Sequence, residues 1–182
     1  MPAIPLRITR TWDGAAAPAD EHVTVTVTDS PDGLRVAVDA PAHGDPPPCT
    51  PEGGPAPVGA TWALWDHEVV ELVVLGADDH YTELELGPHG HHLLLRLHGR
   101  RNLVDRLLPV DATWRTAGGH WQAEAVLPAG VLPPRPWRVN AYAIHGTGAA
   151  RRYLAWAPVP GPQPDFHRLE HFLPLPTGEA EA

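Results

Sequence analysis

The sequence predicts an all-β fold, an antiparallel β-sandwich of about nine to eleven short strands. Three observations carry that expectation. The dominant hydrophobic period is two rather than 3.6. The 23 prolines and 17 glycines break the chain too often for long helices. Apolar residues still make up 43 % of the 182 residues, enough for an ordinary core, since a chain of this size buries about 70 % of its extended surface. No helix of βαβ length can be placed, so a parallel sheet is not expected.

The elements follow in order. Leu6 and Ile8 alternate with Arg7 and Thr9 and predict a first strand, closed by Trp12-Asp13-Gly14. His22 to Thr28 places valines on one face and threonines on the other. The turn Ser30-Pro31-Asp32-Gly33 then leads into Leu34, Val36 and Val38, so the pair reads as a hairpin. Residues 41–59 are rich in proline and glycine and read as a surface loop. Strands resume at Glu68–Leu75, His80–Leu86, His92–His98, Leu103–Leu108, His120–Leu127 and Trp137–Ile144, with room for one helical turn between Pro128 and Pro134. One sandwich domain over residues 1–176 is expected, with a frayed tail at 177–182.

Composition excludes several chemistries. The chain has no lysine, so Schiff-base and P-loop mechanisms are impossible. Ser30 is the only serine and lies in a turn, which argues against a serine-hydrolase triad. Cys49 is the only cysteine, so no internal disulfide can form. A net charge of −9 disfavours nucleic acid as a partner. No apolar run approaches the ~20 residues that span a bilayer, and the first residues lack a signal pattern. A cytoplasmic protein is therefore expected, with no membrane partner and its oligomeric state left open. Twelve histidines are the main compositional oddity.

Parity assigns faces within each strand. Tyr81, Glu83 and Glu85 share one face of their strand. His92, Leu94, Arg96 and His98 share one face of the next. A hairpin through Gly87-Pro88-His89-Gly90 is expected to bring those two faces together, placing carboxylates beside an arginine and histidines. Asn140 and Tyr142 join the polar face of their own strand. Such a face, edged by tryptophans, suits a polyhydroxylated ligand: aromatic rings stack on C–H surfaces of sugars, and amides and carboxylates bind hydroxyl pairs. The bland alternative is a solvated face of weak ion pairs.

The residues also resemble a known family. Its features are Thr11-Trp12-Asp13-Gly14, Asp45-Pro46-Pro47, Leu64-Trp65-Asp66 before Glu68-Val69-Val70-Glu71, and Tyr81 with Glu83 and Glu85. They continue with Pro88-His89-Gly90, Gly99-Arg100-Arg101-Asn102, Ala143-Ile144-His145-Gly146 and Pro164-Asp165-Phe166-His167. In this order they resemble uncharacterised protein family 0462 over nearly the whole chain. More distantly, the set is similar to family 9 carbohydrate-binding modules, which are DOMON-like β-sandwiches. That resemblance implies the fold, and a ligand slot in which Trp65 matches the tryptophan entering the acidic strand. Asp66, Glu68, and Arg100 or Arg101 with Asn102 are then the implied polar contacts. It carries no assigned activity, and the histidines are not needed by the sugar-binding relatives.

The ligand-binding candidates are Trp65, Asp66, Glu68, Tyr81, Glu83, His89, His92, Arg100, Arg101, Asn102 and Trp156. The ligand expected is a carbohydrate or another polar small molecule. An enzyme is the alternative. Asp165 two residues from His167 offers an acid that orients a base, and His145 ends a strand before a glycine. Against this, Asp165 could simply cap a turn while Phe166 and Phe172 anchor the segment. His89, His91 and His92 are the candidate ligands for a divalent metal, although no known spacing signature is met; the primary expectation is no cofactor.

Overall fold

The computed structural model describes residues 2–176, so the tail proposed at 177–182 lies outside the described residues. The strands are β1 (Ile4–Ile8), β2 (Arg10–Thr11), β3 (Val23–Ser30), β4 (Gly33–Pro41), β5 (Gly59–Ala60), β6 (Val69–Leu75) and β7 (His80–Leu86). They continue as β8 (His91–His98), β9 (Leu103–Asp105), β10 (Asp111–Ala117), β11 (His120–Pro128), β12 (Arg138–His145), β13 (Arg152–Ala155) and β14 (Leu173–Pro174). Three of the fourteen have only two residues. The helical segments are single 3-10 turns, including Ala129–Val131, where one turn is expected.

Five strands form one sheet in the order β1-β3-β4-β11-β10. The other runs β2-β13-β12-β6-β7-β8-β5, with β14 beside β12 and β9 beside β8. Pairing is antiparallel except between β5 and β8. The β3–β4 hairpin turns on Pro31 and Asp32, with Ser30 opposite Gly33. Gly33 has φ +137°, and a Cβ there would stand 2.0 Å from the Leu127 carbonyl oxygen, so no other residue fits.

Between the sheets lies the main core. Leu6, Ile8, Val25, Val36, Trp121 and Leu127 from the five-stranded sheet meet Val70, Leu72, Val74, Leu84, Leu94 and Ala141. The far side of the larger sheet is buried as well. Val69, Val73, Leu93, Leu95, Tyr142 and Ile144 pack beneath Leu64, Val159 and Phe172. A strand covered on both faces reads as a nearly continuous apolar run, which is how Val69–Leu75 reads.

Three strand expectations change. The alternation does not mark β10, because it is an edge strand whose residues are exposed or half-buried and so lack a strong apolar pattern. β13 is only four residues long between loops. The strand from Leu103 ends at Asp105 rather than Leu108, beyond a register shift at Arg96–Leu97, and Leu107 has φ +53°.

One correction concerns the faces. β7 and β8 do pair, but Glu83 lies opposite Leu95, Glu85 opposite Leu93, Thr82 opposite Arg96 and Leu86 opposite His92. Odd positions of both strands therefore share a face. The carboxylates sit among leucines, while Arg96 and His92 belong to the opposite face. Arg96 instead pairs with Asp105 at 2.9 Å.

The cover over the outer face is irregular but fastened. Asn140 donates to Tyr142 Oη (2.8 Å) and to the Ala157 carbonyl (2.9 Å), and accepts from the Ala157 amide (3.0 Å). Tyr142 donates to the Phe166 carbonyl at 3.2 Å. Arg138 reaches the carbonyls of Phe172 (2.9 Å) and Glu170 (3.2 Å). These bonds satisfy backbone groups that a buried loop would otherwise leave unpaired.

Candidate functional site

Under this cover is a cavity of about 420 Å³. Its floor is the outer face of the larger sheet: Glu71 from β6, Glu83 from β7, Leu95 and Leu97 from β8, and Ile144 from β12. Trp62, Trp65 and Asp66, at the 3-10 turn Leu64–Asp66, make one wall. Arg101 and the segment Pro164–His167 make another, with Tyr153 between.

Each wall is held in place. Ala63 has φ +58° and ψ +35°, a left-handed conformation uncommon without glycine. It turns the chain so that the Trp62 and Trp65 rings meet edge to face, 5.1 Å apart at 79°. Arg151 secures the same wall from behind by donating to the carbonyls of Trp65 (2.5 Å) and Asp66 (2.9 Å). Arg101 is also left-handed, at φ +62°. Its amide donates to Tyr81 Oη at 3.0 Å, and its side chain reaches Asp165 at 3.0 Å. Arg100 also binds Asp165.

Tyr81 Oη lies 2.9 Å from His167 Nδ1. That hydroxyl also accepts the Arg101 amide, and we assign its own proton to Nδ1, with the neutral ring protonated on Nε2. Burial, reinforced by Arg101, lowers the His167 pKa to about 4, consistent with a neutral imidazole. Burial also pushes the Tyr81 hydroxyl up to about 12. Burial works against charge on Asp165, yet the His167 amide at 3.1 Å and the two arginines hold its carboxyl below the usual range.

The acids on the floor behave differently. Glu71, Glu83 and Glu85 are 3 %, 4 % and 0 % exposed, and Glu71 stands directly opposite Glu85 in the ladder. Burial raises all three pKa values. Glu71 is raised further by Glu83, and Glu85 by both of the others. Glu83 reaches about 7, with a hydrogen bond from Glu85 and then the charge of Arg101 opposing the rise. Apart from the contact between Glu83 and Glu85 themselves, Glu83 Oε2 and both Glu85 oxygens find no hydrogen-bond donor. Buried polar atoms are normally paired, so such atoms mark a strained or functional place.

Of the residues singled out in the sequence, Trp65, Asp66, Glu83, Arg101, Asp165 and His167 line this cavity. Tyr81 stands behind it through His167, and Arg100 through Asp165. Asn102 closes its turn through its amide to Gly99 and its carbonyl to His98. Glu68 faces elsewhere and fastens the proline-rich loop by accepting the amides of His43 (3.2 Å) and Asp45 (3.4 Å). Trp156 packs against the inter-sheet core. His145 lies away from the cavity, stacked on His43 at 3.6 Å.

The three histidines proposed for metal diverge. His89 is exposed and its Nε2 meets the Asp45 carbonyl at 2.9 Å. His91 Nδ1 meets Thr61 Oγ1 at 2.9 Å. His92 faces Trp114 on the other side of the strand, with ring centroids 6.2 Å apart. Burial lowers the pKa of His91 and of His92. Among the described residues, no group of three or more His, Cys, Asp or Glu is spaced to hold a metal ion.

Glu71, Tyr153 and Phe166 are not marked as site residues by the sequence. Glu71 is a lone acid within an apolar run, which is a signal. Its meeting with Glu83 and Glu85 depends on register, which one sequence does not give. A second groove, about 440 Å³, lies on the outer face of the five-stranded sheet among Thr24, Thr26, Asp39, Gln122 and Glu124. It has no buried unpaired acid, so the cavity is the stronger site.

No family model matches the chain. Whole-sequence similarity is clear. The chain is 40 % identical to the UPF0462 protein C4orf33 homolog of Mus musculus, over 93 % of this chain and 89 % of the relative. It is 42 % identical to the Danio rerio homolog, over 91 % and 85 %, and 38 % identical to UPF0462 protein C4orf33 of Homo sapiens, over 91 % and 84 %. Among solved structures, the fold matches a "putative carbohydrate-binding protein" from Bacteroides uniformis. The TM-score is 0.69 at 16 % identity, covering 94 % of this chain and 84 % of that one. The fold is thus shared with that protein, and by sequence the chain belongs to the UPF0462 family.

Proposed function

We propose that this protein is a binding domain for a carbohydrate or another polyhydroxylated small molecule, received in the cavity above Glu71 and Glu83. The observation that carries the proposal is the perpendicular Trp62–Trp65 pair over buried carboxylates, one of them with an unpartnered oxygen. Trp62 remains 45 % exposed, leaving a large aromatic surface for the C–H face of a sugar ring. Glu83, Asp66, Arg101 and the Nε2–H of His167 supply acceptors and donors for hydroxyl groups around it. The cavity volume suits one or two sugar rings. The description of the Bacteroides neighbour points the same way.

Isothermal titration of the purified protein against a panel of mono- and oligosaccharides tests this reading. Binding by at least one member, reduced about tenfold or more by Trp65→Ala, is the expected result. Silence across the panel, or equal binding by the variant, overturns it. One observation favours a catalytic reading: a carboxyl raised to about 7 in a cavity is suited to proton transfer at neutral pH. Each ligand that binds is therefore also followed for turnover, and a product whose formation stops in Glu83→Gln moves the assignment from binding to catalysis.

A further inference from the structure

The floor acids have no cation of their own. Among the described residues, Glu71 and Glu85 make no ion pair, Glu83 meets the neighbouring acid Glu85, and the only basic group within 4 Å of Glu83 is His167, whose Nδ1 stands at 3.8 Å. In the assigned tautomer that nitrogen accepts from Tyr81, and the ring is neutral. The nearby arginines are occupied elsewhere: Arg100 and Arg101 hold Asp165, and Arg151 holds the carbonyls of Trp65 and Asp66. A buried carboxylate without a partner is costly. A neutral hydroxyl could accept or donate at the Glu83 carboxyl where it lines the cavity, but would leave its charge uncompensated. A cation with donors would do both.

The walls suit a cation as well. Trp62, Trp65, Tyr153 and Phe166 surround the same space, and aromatic faces attract ammonium groups. The Trp62 ring already meets a cation of another kind, the Arg106 guanidinium, whose carbon stands 5.4 Å from its centroid. Asp66 adds a further acid to that wall.

Resting on this reading of the cavity, we infer that the preferred ligand is an amino-polyol, a polyhydroxylated molecule carrying a primary ammonium, with its nitrogen received by Glu83 and Glu71 against the Trp62–Trp65 corner. Its hydroxyls face Arg101, His167 and Asp66. Binding also has a proton signature. The groups around Glu83 are Glu71 on β6, Tyr81 and Glu85 on β7, Tyr142 on β12, Arg101 after β8, and Asp165 and His167 above. Among them, the hydrogen bond from Glu85 and, after it, the charge of Arg101 oppose protonation of Glu83. An incoming ammonium favours the ionised form, so a proton leaves Glu83 for the buffer on binding at pH 6.5. As pH falls below about 7, that proton competes with the ligand and affinity declines.

Matched pairs differing only at the amine test the inference: glucosamine against glucose and N-acetylglucosamine, and galactosamine against galactose. Titrations run at pH 6.5 in two buffers of different ionisation enthalpy, so that the difference in heat reads proton release. The expected result is about tenfold or greater preference for the amine, proton release only with the amine, and a preference that grows from pH 5.5 to 7.5. Glu83→Gln should erase the preference and the proton release, read as the ratio of amino-sugar to neutral-sugar affinity within the variant, while its affinity for both falls. Its unfolding midpoint, compared with wild type, confirms that the variant is folded. If it is not, the buffer pair and pH series on the wild-type protein decide. Neutral sugars binding as well as or better than amino sugars overturn this inference and leave the cavity reading intact. No binding by any of these five overturns this inference, and silence across the wider panel of mono- and oligosaccharides as well overturns both.

Discussion

β6 turns Val70, Leu72 and Val74 to one side and Val69, Glu71 and Val73 to the other. All seven residues of the strand are buried, yet the two faces are covered in different ways. The inner face meets a second sheet, whose regular side chains interlock with it. The outer face meets a 3-10 turn, a hairpin tip and the segment from Val159 to Phe172, none of which repeats with the period of the sheet. A regular cover fills its interface, whereas this irregular cover leaves a cavity, and the acids sit where the cavity is. The contrast separates burial that stabilises from burial that the fold tolerates for another purpose.

The largest expected effect follows from the inner face. Leu72→Ala removes a fully packed side chain between two sheets. It should cost about 2–5 kcal/mol and lower the thermal midpoint by roughly 5–15 °C, read by denaturant and heat unfolding. A loss under about 1 kcal/mol would mean that the inner face is loosely packed and the comparison does not hold.

The outer face should respond with the opposite sign. Glu85 has a folded-state pKa raised well above 4.5, first by burial and then by Glu71 and Glu83. The folded protein therefore binds its proton more tightly than the unfolded chain. The penalty is absent below about pH 4.5 and grows as pH rises above it. Glu83 follows the same rule between about pH 4.5 and about 7. His167, lowered to about 4, acts in reverse and takes stability away as pH falls from about 6.5. Glu85→Gln should then stabilise the protein by about 1–2 kcal/mol at pH 8 and change little at pH 4.5. A gain of equal size at both values would show that ionisation is not the cause.

The tyrosine between those groups sharpens the picture at smaller scale. Tyr81→Phe removes the hydroxyl that accepts the Arg101 amide and donates to His167. The expected loss is about 1–2 kcal/mol, with weaker ligand binding, because both Arg101 and His167 lose their fixed positions. Unchanged affinity with lowered stability would make the hydroxyl a purely structural group.

Much of this organisation was legible in the residues. Alternation in Val23–Thr28 and Leu34–Val38 specified the first hairpin, and Pro31-Asp32-Gly33 its turn. Tyr81, Glu83 and Glu85 were placed on one face by parity alone. Parity within a strand, however, says nothing about which face of the neighbour it meets. The carboxylates were expected beside Arg96 and His92, and register placed them beside Leu93, Leu95 and Leu97 instead. Glu71 was equally hidden, because its partners come from two other strands. The histidines misled for a different reason. His89 sits in an exposed turn, and His145 is part of the stack that meets the proline-rich loop. Imidazoles near each other in sequence diverged as soon as the strand alternated.

The finest test lies at Ala63. A left-handed alanine costs about 1 kcal/mol relative to glycine. Glycine would relieve that strain but release more freedom in the unfolded chain, by about 0.5–1 kcal/mol. The two effects oppose each other, so Ala63→Gly should change stability by less than about 0.5 kcal/mol. Its consequence should appear in binding. Ala63 fixes the angle between Trp62 and Trp65, and a glycine lets that corner open, so the ligand must order it again on entry. A two- to fivefold loss of affinity is expected, roughly 0.4–1 kcal/mol, with an unchanged unfolding midpoint measured on the same sample. A fall in both would place Ala63 with the packed inner face. A fall in affinity alone would show that the outer cover holds strain for the sake of its tryptophans.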